Sequence, residues 1–311
     1  MKYRIVIFGT SPFGCPSFAA IAADPLCDVI LAVTQPARPV GRHQQPVSSP
    51  VATWAAARNI RVLGPATLKT VAVHEQLAKF RPDVFLVASY GLILPTAVLD
   101  LPARGALNIH ASLLPRYRGA SPVAAAIANG DTQTGVTFMV MDAGCDTGPI
   151  IAQFPLAIHP DDTRPALEQR LAELAAEQVG RILNQWCTGH LQARPQPDVG
   201  QSNAPRLSRQ SGRAGWDEAA GLERKIRAYQ PWPGVWTEWQ NREIKILAAV
   251  ATDEPPSTSP TGTVVPYRRS WAVVCTQGML VPTVVQFAGR RPQPAGTIPG
   301  SYPGFIGAVL D

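Results

Sequence analysis

The sequence has few cysteines, and their arrangement does not suggest a cross-link or a metal site. The five are odd in number, widely separated and include no CxxC pair: Cys15, Cys27, Cys145, Cys187 and Cys275. Disulfide frameworks and structural zinc sites need paired or closely spaced cysteines. We therefore expect free thiols in a reducing cytoplasm, without a disulfide and without a bound metal.

Long hydrophobic runs are also missing. The apolar run near the amino terminus ends at Gly9 and is too short for the core of a signal peptide. The most apolar stretch, Val84 to Leu99, is interrupted by Ser89, Gly91 and Pro95 and is shorter than a bilayer crossing requires. We therefore expect no signal peptide and no contact with a membrane.

Neither sign of charge strongly dominates the sequence. The formal net charge of +6 and the pI of about 9.3 fit an anionic partner, but they also fit a solvated basic surface. Residues 1–188 hold 15 basic and 13 acidic residues, whereas residues 189–311 hold 13 and 9. Attraction for an anion should therefore be stronger in the second part of the chain.

The first part of the chain has the pattern of an α/β domain with a mostly parallel sheet. Short runs rich in valine and isoleucine alternate there with segments of helical character, as in βαβ units. The runs are nearly continuous, which is typical of strands buried on both faces. The predicted strands are Tyr3–Gly9, Asp28–Thr34, Asp83–Ser89, Ala106–His110 and Val136–Asp142. Leucines at helical spacing predict a closing helix over residues 163–186, which ends this domain near residue 188.

A linker and a second domain follow. Residues 189–205 lose periodicity and fill with proline, glycine, glutamine and asparagine, which is typical of a linker. Residues 206–311 begin with a helical segment, Asp217–Tyr229, and continue with short strands separated by turn residues. This pattern predicts a small antiparallel barrel or sandwich.

Gly9 and Gly14 follow the first strand, where nucleotide-binding folds place a phosphate loop. Neither GxGxxG nor GK[ST] is present, and a tight turn between strand and helix explains the glycines equally well. The sequence therefore argues against a dehydrogenase.

The most informative stretch is NIHASLLPRYRGASP, residues 108–122. Asn108 and His110 are two positions apart on a predicted strand, so their side chains lie on the same face. The irregular SLLPRYRG follows directly, at the strand end where open α/β sheets bind ligands. A single histidine on an apolar strand is more often a hydrogen-bonded core residue, but a second polar residue on the same face favours a site.

A second informative stretch is VMDAGCDTGPI, residues 140–150. Gly144 and Gly148 allow the backbone to wrap closely while Asp142 and Asp146 stay presented. Alternatively, both aspartates cap turns. Two acids and a histidine could hold a metal, but the sequence supplies no convincing cluster of further ligands.

Together these segments resemble the folate-dependent formyltransferases, whose reacting asparagine, histidine and aspartate match Asn108, His110 and Asp146 in identity, order and spacing. Three further segments resemble the branch that acts on initiator methionyl-tRNA more than the branches that act on glycinamide ribonucleotide or sugar nucleotides. They are TQPARPVGR (residues 34–42), SYGLILP (residues 89–95) and IRAYQPWPGVWT (residues 226–237).

The resemblance implies a Rossmann-like formyltransferase domain over residues 1–188 and an OB-like β-barrel over residues 206–311 that helps to hold tRNA. It implies that 10-formyltetrahydrofolate is the formyl donor, that no metal takes part, and that Arg38 and Arg42 contact tRNA. We also expect a monomer. The residues that would contact folate are Ser112, Leu113, Leu114, Pro115, Tyr90, Leu92 and Asp142.

In this chemistry Asn108 and His110 would donate hydrogen bonds to the oxyanion of a tetrahedral intermediate. Asp146 would hold His110 and help to remove a proton from the attacking amine. The sequence leaves open whether Asp146 reaches His110, because the two lie on different segments.

The chain departs from the tRNA-dependent branch after Arg42. That branch usually continues with cations, whereas this chain has His43, Gln44, Gln45 and Pro46, which should weaken phosphate contact. The uncharged glutamines favour an alternative, a formyltransferase for a small amine such as an amino-sugar nucleotide. A second alternative is a non-catalytic RNA-binding protein, which would not need all three polar residues.

Overall fold

The computed structural model describes residues 2–40, 45–254 and 258–311. The chain folds into two compact units. Unit 1 comprises Met1–Pro122, Gln133–Ala157 and Glu168–Pro205, and unit 2 comprises Val123–Thr132, Ile158–Leu167 and Arg206–Asp311. Within the described ranges, no helix combines the length and the apolar character needed to cross a bilayer.

Unit 1 is organised around a seven-stranded sheet. Its strands are β1 (Tyr3–Gly9), β2 (Cys27–Val33), β5 (Val62–Leu63), β6 (Val84–Ala88), β7 (Ala106–His110), β8 (Gln133–Val140) and β9 (Ile150–Ala157), and a separate hairpin is formed by β3 (Arg38–Val40) and β4 (Gln45–Val47). The sheet order is β5-β2-β1-β6-β7-β8-β9. The first five of these strands run parallel and the last two pair antiparallel, which confirms the predicted mostly parallel sheet.

Helices lie between these strands and after the last of them. They are α1 (Cys15–Ala23), α2 (Pro50–Ala56), α3 (Val71–Ala78), α4 (Thr96–Leu99), α5 (Pro122–Ala128) and α6 (Arg164–Cys187). All of α5 after its first residue belongs to unit 2, as do the first four residues of α6. The start of α2 illustrates their local signals, because Ser49 precedes Pro50 and its side chain accepts a hydrogen bond from Ala52 N at 3.0 Å. The predicted closing helix corresponds to α6 and is displaced by one residue.

The central strands are buried on both faces, as their continuous apolar runs predict. Every residue of β6 and of β7 is buried, and so are the last five residues of β1. One core cluster packs Val6 and Phe8 of β1 against Phe85 and Val87 of β6. Burial of one such side chain contributes about 1.5 to 3 kcal/mol, so this core fixes the sheet whose strand ends carry the site.

Unit 2 contains a six-stranded antiparallel sheet. Its elements are α7 (Ala219–Ala228), β10 (Val235–Trp239), β11 (Arg242–Thr252), β12 (Val264–Tyr267), β13 (Ser270–Val274), β14 (Met279–Phe287), β15 (Gln293–Pro294) and α8 (Ile298–Ser301). The order is β10-β11-β14-β13-β12, and β15 pairs with β14. The predicted antiparallel sheet is therefore confirmed.

The last residues of unit 2 bond to both edge strands of its sheet. Val264 N in β12 donates to Ala308 O at 2.8 Å. Three residues later, Asp311 N donates to Glu238 O in β10 at 3.2 Å, and Thr237 Oγ1 donates to Asp311 O at 2.6 Å. Residues 308–311 thus bridge the edge strands β12 and β10, and this link favours the barrel over the sandwich among the two arrangements that the strand pattern predicts.

Candidate active site

Strand β7 presents Asn108 and His110 on one face of the sheet. The strand runs from Ala106 to His110, as predicted, so alternation of side chains places both polar groups on the same side. They are 8% and 6% exposed. Burial of two polar side chains at the carboxyl end of a strand requires partners, and those partners define the site.

Asp146 supplies these partners from the loop between β8 and β9. Its Oδ1 accepts a hydrogen bond from Asn108 Nδ2 at 3.3 Å, and its Oδ2 lies 3.6 Å from His110 Nδ1. The same Oδ2 accepts a hydrogen bond from Gly119 N at 2.8 Å. The structure therefore brings together the amide, the imidazole and the carboxylate that the sequence singled out.

The orientation of the His110 ring is set by Tyr117. His110 Nε2 lies 2.9 Å from Tyr117 O, and because a carbonyl oxygen only accepts, Nε2 carries a proton and donates it. The nitrogen that faces Asp146 is Nδ1. Because the Nε2 proton is donated to Tyr117 O, this arrangement favours a proton-accepting role for His110 over the oxyanion contact expected from the sequence. In the neutral imidazole Nδ1 is an acceptor, so it is the ring nitrogen able to take a proton beside the carboxylate.

Left-handed backbone conformations occur in both loops of the site. Tyr117 and Asp146 adopt left-handed φ angles of 60° and 54°, and Gly119 has φ of 116°. Such conformations cost about 1 to 3 kcal/mol for residues other than glycine and collect at functional sites. At Gly148 a Cβ atom would lie 1.9 Å from Val140 O, so only glycine allows the loop to return this closely to β8.

Asp142 is engaged in its own turn. Thr147 Oγ1 lies 2.8 and 2.9 Å from the two carboxylate oxygens of Asp142, and Gly144 N donates to Oδ1 at 3.1 Å. The side chain is exposed. Turn capping, the alternative weighed for both aspartates, therefore describes the contacts of Asp142, whereas Asp146 reaches across to β7. A folate contact at Asp142 stays a prediction.

The segment expected to contact folate, residues 112–115, is shaped by Thr137 of β8. Thr137 Oγ1 donates to Ser112 O at 2.6 Å and accepts from Leu114 N at 3.1 Å. Thr137 and Ser112 are fully buried, Leu114 and Pro115 are buried, and Leu113 is half-buried. Sequence reasoning missed Thr137, because a threonine in a strand is common and gives no signal of its own.

Tyr90 lies where the strand order of the sheet reverses, between β1 and β6. Its carbonyl oxygen accepts hydrogen bonds from Thr10 Oγ1 at 2.8 Å and from Gln35 Nε2 at 2.7 Å. Open α/β sheets bind ligands at this switch point. Tyr90 is 2% exposed, its ring packs edge-on against Phe8, and burial raises the pKa of its hydroxyl to about 12. Leu92, the other predicted folate contact of this loop, is half-buried.

The two arginines predicted to contact tRNA belong to the hairpin region. Arg38 is exposed on β3, and its Nη2 donates to Gln35 Oε1. Arg42 lies outside the described residues, as do His43 and Gln44. Gln45 is exposed on β4.

Gln196 and Ser202 contact the site, and sequence reasoning missed both. Gln196 Nε2 donates to Asp146 O and to Gly148 O, each at 2.8 Å, and Ser202 Oγ accepts from Tyr117 N at 2.9 Å. Both lie in residues 189–205, whose composition is typical of a linker. Their role is visible only from contacts with residues that are distant in sequence, so no local pattern predicts it.

Cys145 and the remaining acids do not form a nucleophile or a metal centre. The Cys145 thiol donates to Asp146 Oδ2 at 3.8 Å, and partial burial together with that carboxylate raises the pKa of the thiol. The reactive thiolate is thereby disfavoured. Within residues 2–40, 45–254 and 258–311, no three histidine, cysteine or acidic side chains lie close enough to hold a metal ion.

Comparison with known proteins gives consistent results for both parts of the chain. The sequence profile of formyl transferase matches residues 1–183, and that of the formyl transferase C-terminal domain matches residues 206–300. The methionyl-tRNA formyltransferase of Roseiflexus castenholzii is 42% identical over 296 residues, covering 95% of each chain. The protein of that name from Myxococcus xanthus is 40% identical over 308 residues, covering 96% of this chain and 97% of its own.

Among solved structures, the fold is similar to that of an N-formyltransferase from Helicobacter canadensis, crystallised with folinic acid and dTDP-3-aminofucose. The TM-score is 0.67 at 17% identity, and the match covers 91% of this chain and 99% of the other. At this identity the likeness shows the fold alone.

Proposed function

Because the chain belongs to the formyl transferase family, we propose that it transfers the formyl group of 10-formyltetrahydrofolate to the α-amino group of initiator methionyl-tRNA. The relatives from Roseiflexus and Myxococcus, both named methionyl-tRNA formyltransferase, match over at least 95% of either chain and support this acceptor. The observation that carries the reaction is the convergence of Asn108, His110 and Asp146 at the end of β7.

In the proposed reaction the neutral amine attacks the formyl carbon, and the carbonyl oxygen becomes an oxyanion. An asparagine amide has two N–H groups, and one of those on Asn108 points to Asp146, which leaves the other to donate to this oxygen. Such a donor in a dry site typically contributes about 3 to 4 kcal/mol to the transition state. Burial of Asn108 and His110 supports a site with little water.

The attacking amine must lose a proton, and the leaving N10 of the folate must gain one. His110 Nδ1 and Asp146 lie side by side, so the pair can accept the proton of the amine directly or through a water. The C–N10 bond then breaks as the new amide bond persists, and the same proton returns to N10. No covalent intermediate with the protein is required.

The substrate contacts follow from the same reasoning. We propose that folate lies against residues 112–115 and the Tyr90 loop, at the switch point of the sheet. Methionyl-tRNA would be held by Arg38 and Arg42 and by a second domain over residues 206–311, joined through residues 189–205. Because charged tRNA is the acceptor, we propose that the enzyme acts in the cytoplasm. We also propose that it is a monomer.

A turnover assay with radiolabelled formyl donor tests this function. Formyl transfer to charged initiator methionyl-tRNA is expected, with no transfer to uncharged tRNA or to an amino-sugar nucleotide. Transfer to the sugar amine alone would establish the small-amine alternative, and tRNA binding without transfer to any acceptor would establish the non-catalytic one. Near-normal transfer by Asn108→Ala would refute the oxyanion role of this amide.

A further inference from the structure

Residues 194–204, here called the strap, lie along two loops of the site within unit 1. Arg194 exchanges backbone hydrogen bonds of 2.7 and 2.8 Å with Ile150 at the start of β9. Further along, Arg118 N donates to Ser202 O at 2.9 Å, and Ala204 N donates to Arg118 O at 2.7 Å. The strap is therefore bonded both to the loop after β7 and to the strand that follows Asp146.

Gln196 makes the side-chain contacts of the strap with the Asp146 loop. Its Nε2 donates to Asp146 O and Gly148 O at 2.8 Å each, and its Oε1 accepts from Arg118 Nε at 2.9 Å and from Arg118 Nη2 at 2.7 Å. Two carbonyl acceptors on one side and a guanidinium donor on the other fix the orientation of the amide. Both N–H groups and both acceptor positions of the amide are occupied, so the side chain has one well-defined position.

These contacts surround the bond between Asp146 and Gly119. Arg118 precedes Gly119, whose N–H donates to Asp146 Oδ2, and Gln196 binds both the Arg118 side chain and the backbone of Asp146. Asp146 has a left-handed φ of 54°, a conformation that persists only when neighbouring groups hold it. Gln196 supplies two such hydrogen bonds, to the carbonyls at 146 and 148.

We propose that Gln196 is a positioning residue, which keeps the Asp146 carboxylate beside His110 Nδ1 by holding the 146–148 backbone and Arg118 together. The proposal rests on the function proposed above, because it assigns Gln196 an effect only through Asp146. Gln196 itself does not touch the reacting atoms. A displacement of about 1 Å at a catalytic group can reduce a rate by about 100-fold, which sets the size of the expected effect.

Two variants separate the contacts of Gln196. Gln196→Met has a similar length and lacks donors and acceptors, whereas Gln196→Glu can still accept from Arg118 but has no N–H for the two carbonyls. Each should lower kcat by about 10- to 100-fold and leave the KM values for folate and methionyl-tRNA within about twofold of the parent. A loss in both variants excludes the added charge of glutamate as the cause.

Gln185→Ala is the matched control. Gln185 is also half-buried in unit 1, and its side chain accepts from Arg181 within α6 at 3.5 Å. Its kcat should equal that of the parent. Thermal unfolding of all variants, followed by circular dichroism, confirms that the kinetic comparison is made on folded protein.

A double-mutant cycle with Asp146→Asn provides the readout that a merely structural role would not change. If Gln196 acts through Asp146, Gln196→Met should slow the Asp146→Asn enzyme by less than about twofold, as measured in single turnovers. Multiplicative losses, or an unchanged kcat in Gln196→Met, would overturn the proposal while Asp146→Asn stays slow. Near-normal turnover by Asp146→Asn alone would instead refute the catalytic assignment of that carboxylate.

Discussion

Thr137→Val tests whether one buried hydroxyl shapes the segment expected to bind folate. Thr137 Oγ1 donates to Ser112 O and accepts from Leu114 N and from Gln153 Nε2, at 2.6, 3.1 and 3.0 Å. The hydroxyl group therefore uses its one donor and both of its acceptor positions. Valine has nearly the same shape, so the substitution removes these hydrogen bonds without opening a cavity.

The expected cost follows from the partners that lose Thr137. Ser112 O and Leu114 N are backbone groups that bond to the fully buried side chain of Thr137. Each of them costs about 1 to 3 kcal/mol when it is left unpaired. We expect the free energy of unfolding to fall by about 2 to 4 kcal/mol in total, since some relaxation occurs. For a unit of this size the midpoint of thermal unfolding then falls by about 5 to 15 °C.

Thr134→Val is the matched control in the same strand. Thr134 is 3% exposed, and its Oγ1 is buried without a hydrogen-bond partner among the residues that the structure describes. Its replacement should leave the melting midpoint unchanged or raise it, because an unpaired hydroxyl leaves the core. Calorimetry or circular dichroism measures both variants, and initial-rate kinetics measure the KM for the formyl donor, which should rise several-fold in Thr137→Val only. Equal melting midpoints of the two variants would refute this reasoning.

The remaining predictions concern the reacting groups and the two substrates. Asp146→Asn should lower single-turnover formylation by about 100-fold or more, because either amide orientation places its N–H group against that of Asn108 or Gly119. Tyr90→Phe should stabilise the fold by about 1 kcal/mol, measured by thermal unfolding, since it removes a buried hydroxyl that has no hydrogen-bond partner within residues 2–40, 45–254 and 258–311. Arg38→Ala should raise the KM for tRNA more than that for folate and reduce the salt dependence of tRNA binding by about one phosphate contact.

Each of these has an outcome that contradicts it. Asp24→Asn is the control for Asp146→Asn, because it removes a charge from a turn where Asp24 Oδ1 accepts from Leu26 N. Formylation as slow as in Asp146→Asn would show that the loss of a charge alone causes the lower rate. A large rise in the folate KM of Tyr90→Phe would mean that the hydroxyl binds the donor. Equal changes in both KM values of Arg38→Ala would remove this arginine from the tRNA contact.

Strand β7 and its polar face could be predicted because their signals are local. A continuous apolar run sets the strand, and alternation within it places Asn108 and His110 together, independently of the rest of the chain. The sequence pattern predicts that strand β8 starts at Val136, whereas it starts at Gln133. The extra residues pair with β9, as Gln133 does with Ala157, and such pairing depends on a partner distant in sequence.

The ring orientation of His110 and the contacts of Gln196 could not be predicted. The first depends on the carbonyl of Tyr117, a residue in a left-handed conformation that no sequence rule assigns to tyrosine. The second joins positions 50 residues apart, through a glutamine in a segment without periodicity. Both depend on tertiary contacts, so the type of residue at these positions does not predict them.

The strap also limits where the chain can be cut, either to isolate residues 1–205 or to join them to the second domain of another protein. A fragment cut at residue 188 would lack Gln196 and the backbone contacts of Ser202 and Ala204, whereas a fragment cut after Pro205 would keep them. In a chimaera that exchanges residues 206–311, the crossover therefore has to lie downstream of Ala204. A crossover upstream of that point would replace residues of the strap that contact the Asp146 loop with those of another protein.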